Sequence, residues 1–338
     1  MAILNKLISA AVMTIVLTGC YSDFEPDIDS TPVVCINANA KVGEVLKIFA
    51  TRTWRWTEIN QDEGADIQLK DGEVSLYVND ELFEVLHYSE WDYHDPKYSW
   101  VNKQCGFLSS YYPQPGDKIK IMAHSPLYGD AEGEVTVPFP VEINEVESLV
   151  SDLDVCQEGN TVLYRANVSL GIRFTDPLDI TNYYLFESNL NTYESSFHDT
   201  RVVFDYNSEP LFTEHVSSLE SVISETSGYT VFSDRMVSGK TYPLHIRLNE
   251  IEYRVSSENG FESNKSYIRF ALNSISESYY RHVISVWESN DGINGILGDV
   301  GLADPVWECS NVSTGAGVIS AIAPASIKVP LSSFFKED

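Results

Sequence analysis

Thr161-Val-Leu-Tyr-Arg-Ala-Asn-Val-Ser-Leu-Gly-Ile-Arg-Phe174 is the stretch that decides the fold class. Its apolar residues fall at Val162, Tyr164, Ala166, Val168, Leu170, Ile172 and Phe174. Successive side chains of an extended strand point to opposite faces, so a period of two marks a half-buried β-strand. Asp176-Pro177 then turns the chain, because proline disfavours a helical residue before it, and Asn182 to Glu187 returns as a strand.

The same pattern continues in both directions. Toward the C-terminus, Leu244 to Ile251, Tyr253-Arg-Val255 and Ser266 to Leu272 are strands. A helix is expected over Ser276 to Ser289, where Tyr279, Val283 and Val286 keep helical spacing with Ile284 and Trp287 alongside. Ser274 or Ser276 can cap it, and Asn290-Asp-Gly292 stops it. Toward the N-terminus, Gly72 to Val78 and Leu82 to Tyr88 flank Asn79-Asp80 as a hairpin. Alternation also appears between Pro32 and Ala50, and Tyr112-Pro-Gln-Pro-Gly-Asp117 is a turn into a strand at Lys118 to His124. Glu134-Val-Thr-Val-Pro138 closes this part. The reading is a mainly β protein: an N-terminal immunoglobulin-like β-sandwich over residues 31–140, then a larger β-rich domain over 141–338 with one C-terminal helix.

The first residues have another character. Lys6 precedes an apolar run from Leu7 to Leu17, and Leu17-Thr-Gly-Cys20 follows. A cationic start, a short apolar stretch and small residues at its end read as a secretory signal over residues 1–19. It falls short of the ~20 apolar residues of a bilayer-spanning helix. Leu-Thr-Gly-Cys matches the bacterial lipobox, which predicts cleavage before Cys20 and a membrane anchor through lipid on its sulfur, since two or three acyl chains hold stably. Residues 20–30, with Asp23 and Glu25, form an acidic tether. Acidic residues just after a lipidated cysteine resemble the signal that exports such proteins to the cell surface.

The chain has 338 residues, 50 of them acidic and 22 basic, for a net charge of −28. That charge repels nucleic acid and anionic lipid, and 43% hydrophobic residues argue for a packed core. Besides Cys20 there are Cys35, Cys105, Cys156 and Cys309, an even number in an exported chain, which suggests disulfides. Three pairings are open. With a boundary near residue 141, Cys35–Cys105 and Cys156–Cys309 are the economical choice. Metal binding is not expected, because no two cysteines share a short ligand spacing.

Catalytic motifs are missing from the sequence. His87, His94, His124, His198, His215, His245 and His282 form no His-x-x-x-His pair, no Gly-x-Ser-x-Gly elbow occurs, and Gly315-Ala-Gly317 lacks the strand–helix setting of a phosphate loop. No cofactor is expected, and the chain is read as a non-enzyme. The aromatic residues are the candidate binding groups. Trp54 and Trp56 share one face of a strand, and Trp91, Tyr93, Tyr98 and Trp100 stand in a polar segment read as a loop. Exposed rings of this kind suit sugar stacking, peptides or a protein interface.

Several motifs taken in order resemble one family. They are Leu17-Thr-Gly-Cys20, Tyr112-Pro-Gln-Pro-Gly-Asp-Lys-Ile119, Phe174-Thr-Asp-Pro177 with Asn182-Tyr-Tyr184, and Val231-Phe-Ser-Asp234 with Gly239-Lys-Thr-Tyr242. Ser278-Tyr-Tyr280 and Asp304-Pro305, Ser310-Asn-Val312 and Gly315-Ala-Gly317 complete the series. Together they resemble the Bacteroidetes outer-membrane lipoproteins catalogued as domain of unknown function 4249. The Trp91 to Trp100 segment and Ala316 depart from its pattern. The resemblance implies an outer-membrane lipoprotein, exposed at the cell surface, that accompanies a TonB-dependent transporter in nutrient uptake. An envelope assembly factor, or a surface enzyme with a site built from distant residues, are the alternatives.

Overall fold

The computed structural model describes residues 31–54, 67–94, 101–178, 180–191, 200–202, 204–205, 209–214, 230–256, 266–290 and 308–335. The expected signal peptide and tether lie outside them. The protein is mainly β. The first strands are β1 (Val34–Lys41), β2 (Lys47–Arg52), β3 (Glu73–Val78), β4 (Glu81–His87), β5 (Ser89–His94), β6 (Val101–Leu108), β7 (Lys118–Ser125) and β8 (Gly129–Thr136). Next come β9 (Ile143–Glu158), β10 (Thr161–Thr175), β11 (Tyr183–Asn191), β12 (Thr200–Arg201), β13 (Val231–Ser233), β14 (Thr241–Ser256) and β15 (Tyr267–Ile275). Helix α1 (Glu277–Asn290) precedes β16 (Val312–Ser313), β17 (Ile319–Ala323) and β18 (Ser326–Pro330).

These strands form three sheets. A ten-stranded sheet has the order β12-β11-β15-β17-β1-β2-β6-β5, with β13 added to β11 and β18 to β15. A five-stranded sheet runs β16-β8-β7-β3-β4, and a three-stranded sheet runs β14-β10-β9. The large sheet crosses residue 141. Its joint is β17, which pairs parallel with β1 (Ala38 opposite Ile319) and antiparallel with β15 (Ile275 opposite Ile322). Residues 32–338 accordingly make one compact unit.

Each half of the large sheet is covered on its inner face. Val34, Ile36, Ile48 and Phe107 meet Val74, Leu76, Ile119 and Ile121 of the five-stranded sheet, and Ile319 of β17 is buried among them. On the other half, Tyr184, Phe186, Ile268 and Phe270 meet Ala166, Val168, Leu170, Ile172 and Phe174 of β10. This second core is rich in rings, with Phe174 5.5 Å from Tyr184 and Phe186 6.3 Å from Phe270. The alternation of β10 is kept because its neighbours absorb the irregularities. Pairing slips beside Asn167 on both sides, at Asp152 of β9 and Glu250 of β14, which adopt φ 52° and 53°. The Asn167 amide holds both bulges, donating to Asp152 Oδ2 at 2.9 Å and accepting from Glu250 N at 2.9 Å.

Asn79 and Asp80 close the β3–β4 hairpin with φ 53° and 68°, as a tight turn between right-twisted strands demands. Helix α1 lies on the outer face of the large sheet, where Tyr279, Tyr280, Val283 and Ile284 cover Tyr183, Leu185, Ile275 and Ile322. Ser276 Oγ accepts from Tyr279 N at 3.3 Å and caps it. Trp54, read on a strand, lies beyond the end of β2 at Arg52, and two further segments depart from what local pattern suggests. Ser89–His94 is a strand paired with β6 (Trp91 opposite Gln104), so the aromatic stretch begins as a hairpin arm and not as a loop. Residues 143–158 form one long edge strand, although most of its side chains are exposed.

Candidate functional site

Strand register fixes what the outer face of the large sheet presents beside α1. On β1 the inner residues are Val34, Ile36, Ala38 and Ala40, so Cys35, Asn37 and Asn39 point outward. Asn37 stands opposite Phe49 of β2, and Asn39 stands opposite Ser320 of β17. Trp91 and Gln104 face outward together from β5 and β6, with Trp91 Nε1 donating to Gln104 Oε1 at 3.2 Å. Between Phe49 and Trp91 lies Gly106, with φ 152°. A β-carbon there would come within 3.4 Å of both rings and 2.9 Å of the Ile48 carbonyl oxygen. Glycine lets the two rings meet across the sheet, at 6.3 Å between centroids.

The face is bounded by α1, whose Tyr279, His282 and Val283 form a wall over a hollow of about 330 Å³ floored by Asn37, Asn39, Phe49, Val318 and Ser320. Asn37 Oδ1 accepts from Val318 N at 3.1 Å, which fixes that amide. Asn39 is exposed and its amide makes no hydrogen bond among the described residues. His282 Nδ1 sits 3.3 Å from the Cys309 carbonyl oxygen. At the far end, Lys47 Nζ lies 4.9 Å above the Tyr93 ring. Trp91 and Tyr93 are half-buried and Trp54 is 55% exposed. Trp56, Tyr98, Trp100 and the lipidation candidate Cys20 lie outside the described residues.

A second concavity, of about 540 Å³, opens where the two halves meet, between Pro138-Phe139-Pro140 and Ile180 to Tyr184. Tyr184 and Asn182 of its wall are engaged by buried carboxylates behind it. Tyr184 Oη donates to Asp176 at 2.5 Å, Asn182 N donates to Asp234 at 2.9 Å, and Gly239 N donates to Asp176 at 3.0 Å. Asp176 and Asp234 are both nearly inaccessible. Burial pushes the Asp234 carboxyl above its ordinary pKa, and the neighbouring Asp176 and Glu214 charges add to this. Glu209, fully buried, accepts from Leu211 N, Tyr242 Oη and His245 N at 3.0, 2.9 and 2.6 Å. These carboxylates tie together the segments around Asp176-Pro177, Asn182-Tyr-Tyr184 and Phe232-Ser-Asp234.

The C-terminal motif is also a fold device. Asn311 accepts from Ile319 N at 2.9 Å and donates to the Ile319 and Glu134 carbonyls. A β-carbon on Gly315 would lie 2.3 Å from the Val34 carbonyl oxygen, and one on Gly317 2.2 Å from that of Ile36. The two glycines bring the C-terminal strand against β1. The signal in the sequence was the Gly-x-Gly spacing after Asn311; nothing there says which strand it approaches.

The expected disulfides are not formed: Cys35, Cys105, Cys156 and Cys309 are free thiols. Cys35 points to the outer face, while Cys105 shares the inner face with Phe107, and β2 lies between their strands. Next-nearest strands are about 9.5 Å apart, beyond the ~7 Å Cα reach of a disulfide. Cys156 is exposed opposite Leu163, and Cys309 N donates to Ser285 Oγ of α1. Leu163 is separated along β10 by about 36 Å from Phe174, whose ring meets Tyr184 near the α1 end. Burial raises the pKa of the Cys35 thiol, against the lowering effect of Thr51 and Asn37.

Among the described residues, no three His, Cys, Asp or Glu side chains are placed to hold a metal, and no helix is long and apolar enough to cross a membrane. Fold and site define a mainly β protein of two sandwich halves that share one sheet, with an aromatic and amide face beside its helix. The family model described as a domain of unknown function, DUF4249, matches residues 21–328, and the chain belongs to that family. No curated protein and no solved structure matches it.

Proposed function

We propose that the protein is a non-catalytic, lipid-anchored binding protein of the outer membrane that faces the cell surface and serves a TonB-dependent transporter in nutrient uptake. The observation that carries this is the outer face of the ten-stranded sheet, where Asn37, Asn39 and Phe49 line a hollow beside α1 and Phe49 meets the Trp91 ring. A sheet that only built a core would cover such a face or make it charged. Leu17-Thr-Gly-Cys20 supplies the anchor, the acidic stretch after it supplies the tether, and the charge of −28 keeps the body off the lipid surface.

The test is purification of the tagged, detergent-solubilised protein from membranes of its own cells. Co-purification of a TonB-dependent transporter, identified by mass spectrometry, is expected from the parent. The Cys20→Ala chain is expected to leave the membrane fraction and lose the transporter. A membrane-bound protein that brings down no such transporter would overturn the assignment.

A further inference from the structure

We infer that the hollow beside α1 and the adjoining Phe49–Trp91 strip bind a neutral carbohydrate, an inference that rests on the binding role proposed above. The first argument is charge. The chain has 50 acidic residues, yet among the described residues no carboxylate lines this hollow. The junction cleft and the hollow on the five-stranded sheet both include acidic side chains in their walls. The nearest carboxylate acting on the lining is Glu187, behind Tyr279; a lining without charged groups of its own in so acidic a protein fits a ligand without charge, and the overall field repels anionic ones.

The second argument is the kind of group presented. Asn39 offers an amide with donor and acceptor side by side, next to the Asn37 amide, which Val318 N and Cys35 Sγ hold in place. The Asn39 amide matches a pair of vicinal hydroxyls, each of which both donates and accepts. Phe49 and Trp91 supply flat apolar surfaces for the C–H faces of sugar rings. Gly106 keeps the two rings in contact, so little side-chain freedom is lost on binding.

The third argument excludes an extended peptide. The hollow lies on a sheet face, where the backbone groups of β1 are already paired with β2 and β17. A peptide laid there would find no free ladder to join, and main-chain bonding at an edge is what gives strand addition its affinity.

Native gel electrophoresis of the detergent-solubilised mature protein, in gels cast with starch, xylan, laminarin, mannan or polygalacturonate, tests the inference. Retardation by at least one of the four neutral polymers, and none by the anionic polygalacturonate, is expected. Asn39→Ala and Phe49→Ala should each weaken retardation roughly thirtyfold, the effect of losing an interface anchor, with unchanged thermal unfolding. Asn39 is exposed, so its variant folds even if Phe49→Ala does not. No retardation by any neutral polymer, or equal retardation of parent and variants, would overturn the inference. Loss of glycan binding with transporter co-purification intact counts against the ligand alone. Retained glycan binding without a transporter counts against the proposed partner alone.

Discussion

Replacing Gly315 with alanine tests whether the two halves of the protein depend on one shared sheet. The added β-carbon would lie 2.3 Å from the Val34 carbonyl oxygen and 2.6 Å from Ala131 Cβ. Both neighbours are backbone or fixed to it, so neither swings away. Overpacking of this kind costs about 1–3 kcal/mol, and rigid neighbours place it at the upper end. The chain can escape only by moving the C-terminal strand off β1. That breaks the bonds from Ile36 N to Ala316 O at 2.8 Å and from Ala316 N to Val34 O at 2.9 Å, each worth about 1 kcal/mol. The cheaper route sets the result at about 2–3 kcal/mol. Gly171→Ala is the control. A β-carbon there meets nothing nearer than 3.9 Å, so removing a strand-interior glycine should be neutral or slightly stabilising. Urea unfolding followed by tryptophan fluorescence gives both values. A loss below about 0.5 kcal/mol for Gly315→Ala would refute the reasoning, because such a clash exceeds that by several-fold.

Three other outcomes follow from the same geometry. Thiol alkylation of the denatured, unreduced protein should label Cys35, Cys105, Cys156 and Cys309, all four free thiols; a Cys35–Cys105 peptide would contradict the sheet order. Stability should rise as pH falls from neutral toward the carboxylate range. Folding raises the pKa of Asp234, so its contribution is present below the ordinary carboxyl pKa and is lost as pH rises through the raised value. Asp234→Asn should flatten that dependence, and an unchanged pH profile would show that Asp234 is not its source. Protease added to intact cells should digest the protein if its body faces outward, whereas digestion only after lysis would place it in the periplasm.

The strands that alternate cleanly were legible in the sequence. Thr161 to Phe174 packs as read because β9 and β14, not β10, carry the bulges at Asp152 and Glu250. The hairpin at Asn79-Asp80 and helix α1 were legible for similar local reasons: residues that tolerate positive φ, and a cap followed by helical spacing. Residues 143–158 were not recognised as a strand, because an edge strand that leaves Leu149, Leu153 and Val155 exposed gives no clean alternation. The polar residues between Trp91 and Trp100 disguised β5, whose pairing with β6 depends on the partner strand. Least legible was the parallel contact of β1 with β17, which joins Ala38 to Ile319. Local pattern holds no information on a partner so distant in the chain. The proposed binding face inherits that limit in part: Asn37 meets Phe49 through the local β1–β2 hairpin, but His282 of α1 and Ser320 reach this face only through the long-range pairing of β1 with β17.

Photo-crosslinking in living cells tests the central claim most directly. A benzophenone amino acid is placed at Phe49, on the outer face of the ten-stranded sheet, or at Leu149, 71% exposed on β9 of the three-stranded sheet. The account predicts adducts to a transporter or a surface glycan from position 49 and none from position 149. Adducts from position 149 alone, or equal adducts from both, would contradict it.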